Sequence, residues 1–214
     1  MKINTDKKML ISATAISIFF GLAVLIYILI RNRNRINSNT MKTSDKGIEL
    51  IKHFEGLHDS DKSKAGLQPE MDSAGYWTIG WGRLLFNKQT GKKLKGNSDF
   101  SVIESQYPEF LNITEQKANE LLLEDIEKFE IKVKKNLAVS ISQNKFDALV
   151  AHTYNTGGSN TLFSLINKNA PESDIQNWWT TRYITAGGVQ YPGLIRRRKS
   201  EYHLYNTGNL KFNF

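Results

Sequence analysis

MDSAGYWTIGWGR, from Met71 to Arg83, sets one aspartate before a Tyr-Trp pair and then threads a threonine and two glycines through an apolar run. Its aromatic and β-branched residues predict a small β element over Tyr76 to Phe86, followed by the turn chemistry of NKQTGKK. Asp72 falls at the turn that opens this element. Upstream, DKGIELIKHFEG puts Ile48, Ile51 and Phe54, with Leu50 beside them, on one helical face. Ser44 reads as the N-cap of that helix and Gly56 as its stop. Glu55 therefore sits in the last turn, where the helix dipole disfavours a negative charge. A carboxylate there is either solvated or deliberately held.

Downstream of Thr114 the pattern is helical. TEQKANELLLEDIEKFEIKVKKNL has Thr114 as N-cap and apolar residues at Leu121, Leu122, Ile126, Phe129 and Val133. SQNKFDALVAHTYN predicts a second helix, ended by Gly157 and Gly158. Shorter helices are expected around TLFSLIN, SDIQNWWTT and GLIRRRKSEYHLYN. There is no internal repeat. One helix, a small sheet and a larger helical lobe make an α+β domain over residues 45–214.

The N-terminal part is of a different kind. Leu10 to Ile30 is 21 residues without a charge, and as a helix it would reach about 30 Å, enough to cross a bilayer core. The run ends without a small-x-small exit, so an uncleaved signal-anchor is expected rather than a cleaved signal peptide. Residues 1–9 form a short flank before it, and the polar, Asn-rich residues 31–44 read as a linker. Before residue 36, six lysines and arginines stand against Asp6 alone. Five of the eight net positive charges therefore flank the apolar segment, and three remain for the other 179 residues. That distribution argues against a nucleic-acid partner. The flanking charges nearly tie across the segment, so the positive-inside rule does not orient it. With no cysteine in the chain, disulfides, thiolate metal sites and cysteine-based anchor release are all excluded. No His/Asp/Glu spacing suggests a metal, and no cofactor is implied.

The two halves, FEG and DSAGYWTIGWG, resemble the catalytic signature of the phage-type lysozymes, the muramidases of glycoside hydrolase family 24. In that family a Glu closes the first helix, an Asp starts a hairpin, and a Thr follows after five intervening residues. Glu55, Asp72 and Thr78 occupy those places, followed by Gly80 and Gly82. QNKFDALVAHTYNTGG resembles the family's central helix, and PGLIRRRKSEYHLY its C-terminal arginine-rich helix. The resemblance covers most of residues 45–205 in the family's order. It implies a lysozyme-like fold and an inverting hydrolysis of peptidoglycan, at the β-1,4 bond between N-acetylmuramic acid and N-acetylglucosamine. Because that substrate lies outside the bacterial cytoplasmic membrane, the resemblance also implies a single-pass chain with the domain on the outer, periplasmic side. A monomer is expected.

Glycoside cleavage needs one carboxylic acid to protonate the leaving oxygen and a second acidic group on the other face of the sugar. Glu55, beside Phe54 at a helix end, fits the first role. Asp72, in a polar turn, fits orientation of water and stabilisation of the cationic sugar. Thr78 could hold that water, or simply be a good strand former. The glycines at Gly80 and Gly82 would let the backbone approach substrate. Trp81 could stack on a sugar or be core, whereas Trp178 reads as core. Asn155 matches a polar cleft position of the family. Arg197 is expected to pack under the cleft and pair with Glu55 or another acid. His152 reads as a packed or helix-surface histidine.

Two differences from the family pattern stand out. Sixteen residues separate Glu55 from Asp72, roughly twice the usual interval, and the insertion adds Asp59, Asp61 and Glu70 as rival carboxylates. Arg83 replaces the histidine that usually follows Gly-x-Gly, and an acid such as Asp99 is expected to pair with it. Two alternatives stay open beside the hydrolase: a catalytically impaired peptidoglycan-binding domain, and a lytic transglycosylase on the same fold.

Overall fold

The computed structural model describes residues 22, 24–26, 40–60 and 66–214. The flank 1–9, most of the apolar segment 10–30 and most of the linker 31–44 lie outside the described residues. Among those described, no helix is long and apolar enough to cross a membrane.

Helix α1, Asp45–Glu55, buries Leu50 and Ile51 and stops at Gly56, whose φ of 73° is the left-handed value that glycine tolerates. Three short antiparallel strands follow in the order β1 (Glu70–Met71), β2 (Trp77–Ile79), β3 (Arg83–Leu84). Their register sets Glu70 opposite Thr78 and Ile79 opposite Arg83. The rest is helical: α2 (Phe100–Gln106), α3 (Glu115–Asn136), α4 (Gln143–Thr156), α5 (Asn160–Asn167), α6 (Glu172–Thr181) and α7 (Pro192–Thr207). Between α6 and α7 stands a hairpin of β4 (Thr185–Ala186) and β5 (Val189–Gln190). This is the expected α+β plan, with β1, α2 and the β4–β5 hairpin added to it. Each of the three is too short to show a period of its own.

Two apolar cores share one wall. Trp77, Ile79, Leu85, Leu94, Ile103, Phe110 and Ile113 pack the small lobe, while α1, α4, α5, α6 and α7 enclose the larger one around Phe146, Leu149 and Trp179. Helix α3, capped by the Thr114 hydroxyl, contributes Ala118 and Leu121 to the first core and Leu122, Ile126 and Val133 to the second. At 22 residues it runs for about 33 Å, and it holds the two lobes at a fixed distance. Of the tryptophans, Trp179 is the fully buried one in the helical lobe. Trp178, expected in the core, is only partly buried at its edge.

The N-terminal boundary lies earlier than residue 45. Met41 packs against the helical core. The Thr43 amide and hydroxyl both donate to buried Glu130, at 2.7 and 2.9 Å. Ser44 stands at the N-cap position, yet its side chain makes no cap bond. Its amide donates to Oδ1 of buried Asp147 at 2.9 Å, and its hydroxyl to Oδ2. Two buried carboxylates thus need partners, and the incoming strand supplies them. That tertiary demand overrides the local capping preference.

The turn between β2 and β3 shows why glycine is required there. Gly80 is buried at φ 63°, and a Cβ on it would lie 2.9 Å from the Cβ of Ala118 on α3. The expectation that Gly80 faces substrate is therefore corrected: its open side faces the shared helix. Replacing Gly80 with alanine combines a left-handed backbone with overpacking and should cost about 3 kcal/mol. Ala118→Gly alone should cost about 1 kcal/mol through helix propensity. Urea unfolding of the double variant should show less than the sum of the two costs, because the clash disappears.

Candidate active site

Glu55 ends α1 with its side chain 20% exposed, and its Oε1 lies 2.7 Å from Nη2 of Arg197 on α7. The contact is an ion pair by distance without the alignment of a hydrogen bond. Arg197 is itself 5% exposed and reaches Glu201 Oε1 through Nε at 3.2 Å. Glu201, fully buried, also takes Arg198 Nη2 at 3.1 Å and the Trp179 indole N–H at 3.1 Å. The chain of charges then returns to the surface at Asn155, whose Oδ1 accepts from Arg198 at 2.6 Å. The expected Arg197–Glu55 pairing is therefore present. Asn155 sits at the exposed end of α4 with its oxygen already committed. A buried guanidinium with two carboxylates fixes the position of Glu55 far better than a solvated helix end would.

The opposite wall is the β-sheet. Asp72 folds a tight Asx turn: its Oδ1 accepts from the amides of Ala74 and Tyr76 at 2.8 and 2.9 Å. This explains the DSAGY spacing, since the carboxylate organises the turn that starts β2. Thr78 is 3% exposed and its hydroxyl donates to the Glu70 carbonyl at 3.0 Å. Of the rival carboxylates, Glu70 lies on β1 with Oε2 3.4 Å from His58 Nδ1. Asp59 accepts from the Gln68 amide at 3.4 Å, and Asp61 lies outside the described residues.

Two of the expected residues join the lobes. Trp81 packs against both cores, donates its indole N–H to Asn119 at 2.9 Å, and carries the Lys52 ammonium 4.7 Å above its ring. Arg83 does pair with acids, but with Asp125 at 2.7 Å and Glu124 at 2.9 Å on α3, and it also donates to the Leu121 carbonyl at 2.6 Å. Asp99 is engaged elsewhere, accepting from the Lys95 amide. Arg83 therefore ties the sheet to α3, a bond between lobes that sequence order alone could not assign.

Two residues escaped the sequence reading. Tyr154, half-buried, rests on Phe129 at 4.9 Å between ring centres and its hydroxyl reaches the Trp81 carbonyl at 3.4 Å. Burial first, and the nearby Glu55 charge second, push its phenol above the ordinary range. His58 hides in the insertion. Its amide donates to the Gly80 carbonyl at 2.8 Å, and this bridge brings the ring beside Glu70, Thr78 and Gly82. Among the described residues no group of three or more His, Cys, Asp or Glu is arranged to hold a metal ion.

Comparison with known proteins agrees with this fold. A family model described as phage lysozyme matches residues 52–201. The endolysin of Bacillus phage B103 is 33% identical over 175 residues, which is 80% of this chain and 56% of that protein. The chain thus spans little more than half the length of that relative. Among solved structures, the endolysin of Escherichia coli O157:H7 phage FAHEc1 is 31% identical, with a TM-score of 0.58 over 80% of this chain and 98% of that one. The muramidase domain of SpmX from Asticaccaulis excentricus is 25% identical, with a TM-score of 0.51 over 78% and 98% of the two chains.

Arg197→Ala leaves buried Glu201 with only one of its two cations, and urea denaturation should show a loss of about 3 kcal/mol or more. Arg197→Lys should recover only part of it, because one ammonium cannot span both carboxylates. His152 offers a pH test. Burial, then Arg198 and Arg197, hold its imidazole well below the ordinary 6.5. The folded ring stays neutral at pH values where the unfolded chain takes up a proton. This contribution is complete above 6.5 and is lost as pH falls from there toward the folded value. Between about pH 7 and pH 5 the stability of His152→Met should therefore fall less than that of the parent, as read from urea midpoints at each pH.

Proposed function

Because this chain belongs to the phage lysozyme family, we propose that it is a peptidoglycan hydrolase that cleaves the β-1,4 bond between N-acetylmuramic acid and N-acetylglucosamine. The observation that carries the reading is the way Glu55 is held. Arg197 pins Oε1 from beneath, while Oε2 faces the hairpin at Gly82, on the same sheet whose first turn is organised by Asp72. A carboxyl group held at the helix end and another at the first turn of the sheet support the two-acid chemistry of glycoside hydrolysis.

In this mechanism Glu55 enters each cycle protonated and gives its proton to the leaving glycosidic oxygen. Asp72 lies on the sheet side, where it orients the attacking water and stabilises the positive charge that develops on the sugar. Two backbone amides already fill one of its oxygens, so the other is the one that acts. Thr78, with its hydroxyl tied to the Glu70 carbonyl, supports that wall and can accept a hydrogen bond from the water. When the proton has left Glu55, the Arg197 guanidinium offsets the new negative charge. Asn155, held by Arg198, would contact the sugar through its amide.

The apolar run Leu10–Ile30 supports a membrane-anchored form, with the domain on the outer face of a bacterial cytoplasmic membrane where peptidoglycan lies. Protease shaving of intact spheroplasts should remove the domain if this orientation holds. Full protection would overturn it.

The full chain, purified in detergent, should release reducing ends from cell walls. Glu55→Gln and Asp72→Asn should each lower kcat by at least about 100-fold, with little change in melting temperature for Asp72→Asn. Binding without release of reducing ends would instead identify a wall-binding domain. Anhydro products by mass spectrometry, together with tolerance of Asp72→Asn, would identify a lytic transglycosylase.

A further inference from the structure

The cleft holds two titratable atoms whose neighbours are committed and which are themselves turned toward one gap. Glu55 gives Oε1 to Arg197, leaving Oε2. His58 gives Nδ1 to the sheet side, 3.4 Å from Glu70 Oε2 and 3.5 Å from the Thr78 hydroxyl, leaving Nε2. A Cβ built on Gly82 would lie 3.5 Å from Glu55 Oε2 and 3.8 Å from His58 Nε2, with no other described atom outside its chain neighbours within 4 Å. Gly82 holds φ 83°, and having no side chain it leaves both atoms facing the place that a Cβ would take.

We propose that His58 is a proton relay that restores the acid Glu55 after each turnover. The inference rests on the hydrolase reading, because that chemistry creates the need for it. In an inverting cycle the attacking water loses a proton on the sheet side, while Glu55 loses one to the leaving oxygen on the helix side. The products leave with all their atoms, but the enzyme is left with a proton on the wrong wall. His58 spans the two walls. In the relay the proton lost by the water passes to a carboxylate of the sheet side, Glu70 Oε2 being the one that lies 3.4 Å from His58 Nδ1, and Nδ1 takes it from that oxygen. Its Nε2 then gives a proton across the Gly82 gap to Glu55 Oε2, directly or through one water. Histidine suits this task because it can accept at one ring nitrogen and donate from the other. The ring side chain is 24% exposed, and exchange with solvent returns it to the starting tautomer. Among the described residues, the charged groups with printed contacts around the relay include Glu70 on β1, Glu55 on α1 and, behind Glu55, Arg197 on α7. The main-chain bridge from the His58 amide to the Gly80 carbonyl fixes the ring's place independently of its side-chain partners.

The test uses the full chain on cell walls. His58→Ala should lower kcat by about 10-fold or more with KM nearly unchanged, and added free imidazole should restore a large part of the rate. Glu70→Gln should lower kcat in the same direction by a smaller factor. Rescue is the decisive readout, since a histidine that merely packs the hairpin would not be replaced by imidazole in solution. A His58→Ala chain with wild-type kcat, or with lost activity that imidazole does not restore, overturns the relay while leaving the hydrolase intact. A wild-type chain that releases no reducing ends fails at the earlier step and overturns both. If His58→Ala does not fold, His58→Gln takes its place, and a wild-type kcat in that variant overturns the relay.

Discussion

A guanidinium buried between two carboxylates underlies the site. Arg197 joins Glu55 on the first helix to Glu201 one turn further along its own helix, with almost no water to weaken either contact. The interior tolerates this only because the charges close on each other, and Trp179, Arg198 and Asn155 satisfy what Arg197 cannot reach. The arrangement makes the position of Glu55 a property of the whole helical lobe. Residues 45–55 and 192–207 are separated by most of the domain in sequence, so the pair forms only when α4 is in place between them. The acid exists as a placed group only in the finished fold.

The second constraint is steric. The sheet reaches the helical lobe through α3, and the closest approach is Gly80 against Ala118. Arg83 reinforces it with Asp125, Glu124 and the Leu121 carbonyl. One contact requires the absence of a side chain and the other requires a long one, three residues apart on the same turn. Together they hold the sheet, which carries Asp72 at its first turn, against α3. The family's usual histidine at the Arg83 position is replaced here by a group that can hold two acids at once, which suits a sheet burdened with a long insertion.

What the sequence shows and hides follows from the range of each interaction. Helical periodicity, the Thr114 cap and the stops at Gly56 and Gly157 are local, and all are legible in order along the chain. The Asx turn of Asp72 is local too. Its spacing already reads as a turn with Asp72 as a turn residue, and the structure adds the two amides that its Oδ1 holds. Long-range partners were legible only where chemistry left one good answer: Arg197 with Glu55 was expected, while Arg83 with Asp125 was not. Gly80 looks like a substrate residue in one dimension and proves to be a joint in three, and Trp81 also belongs to the contact between lobes. Ser44 takes the N-cap place that the sequence indicates, but its hydroxyl goes to buried Asp147 and not to the helix end. His58 left only a weak trace. It stands two residues past a helix stop in a polar insertion, and only the bridge to Gly80 brings it beside Glu70, Thr78 and Gly82.

The clamp on Ser44 also bears on how Glu55 is placed. Thr43 and Ser44 are held by Glu130 and Asp147, and Met41 is packed in the core, so the domain cannot pivot at its own first helix. Glu130 lies on α3 and Asp147 on α4, which ties the approach to α1 to both helices at once. Each of these carboxylates is buried and would be costly to leave without partners. The start of α1 is thus fixed by contacts made before the helix begins, and Arg197 holds its far end at Glu55. A rigid helix of 11 residues clamped at both ends leaves its last carboxylate little room to move.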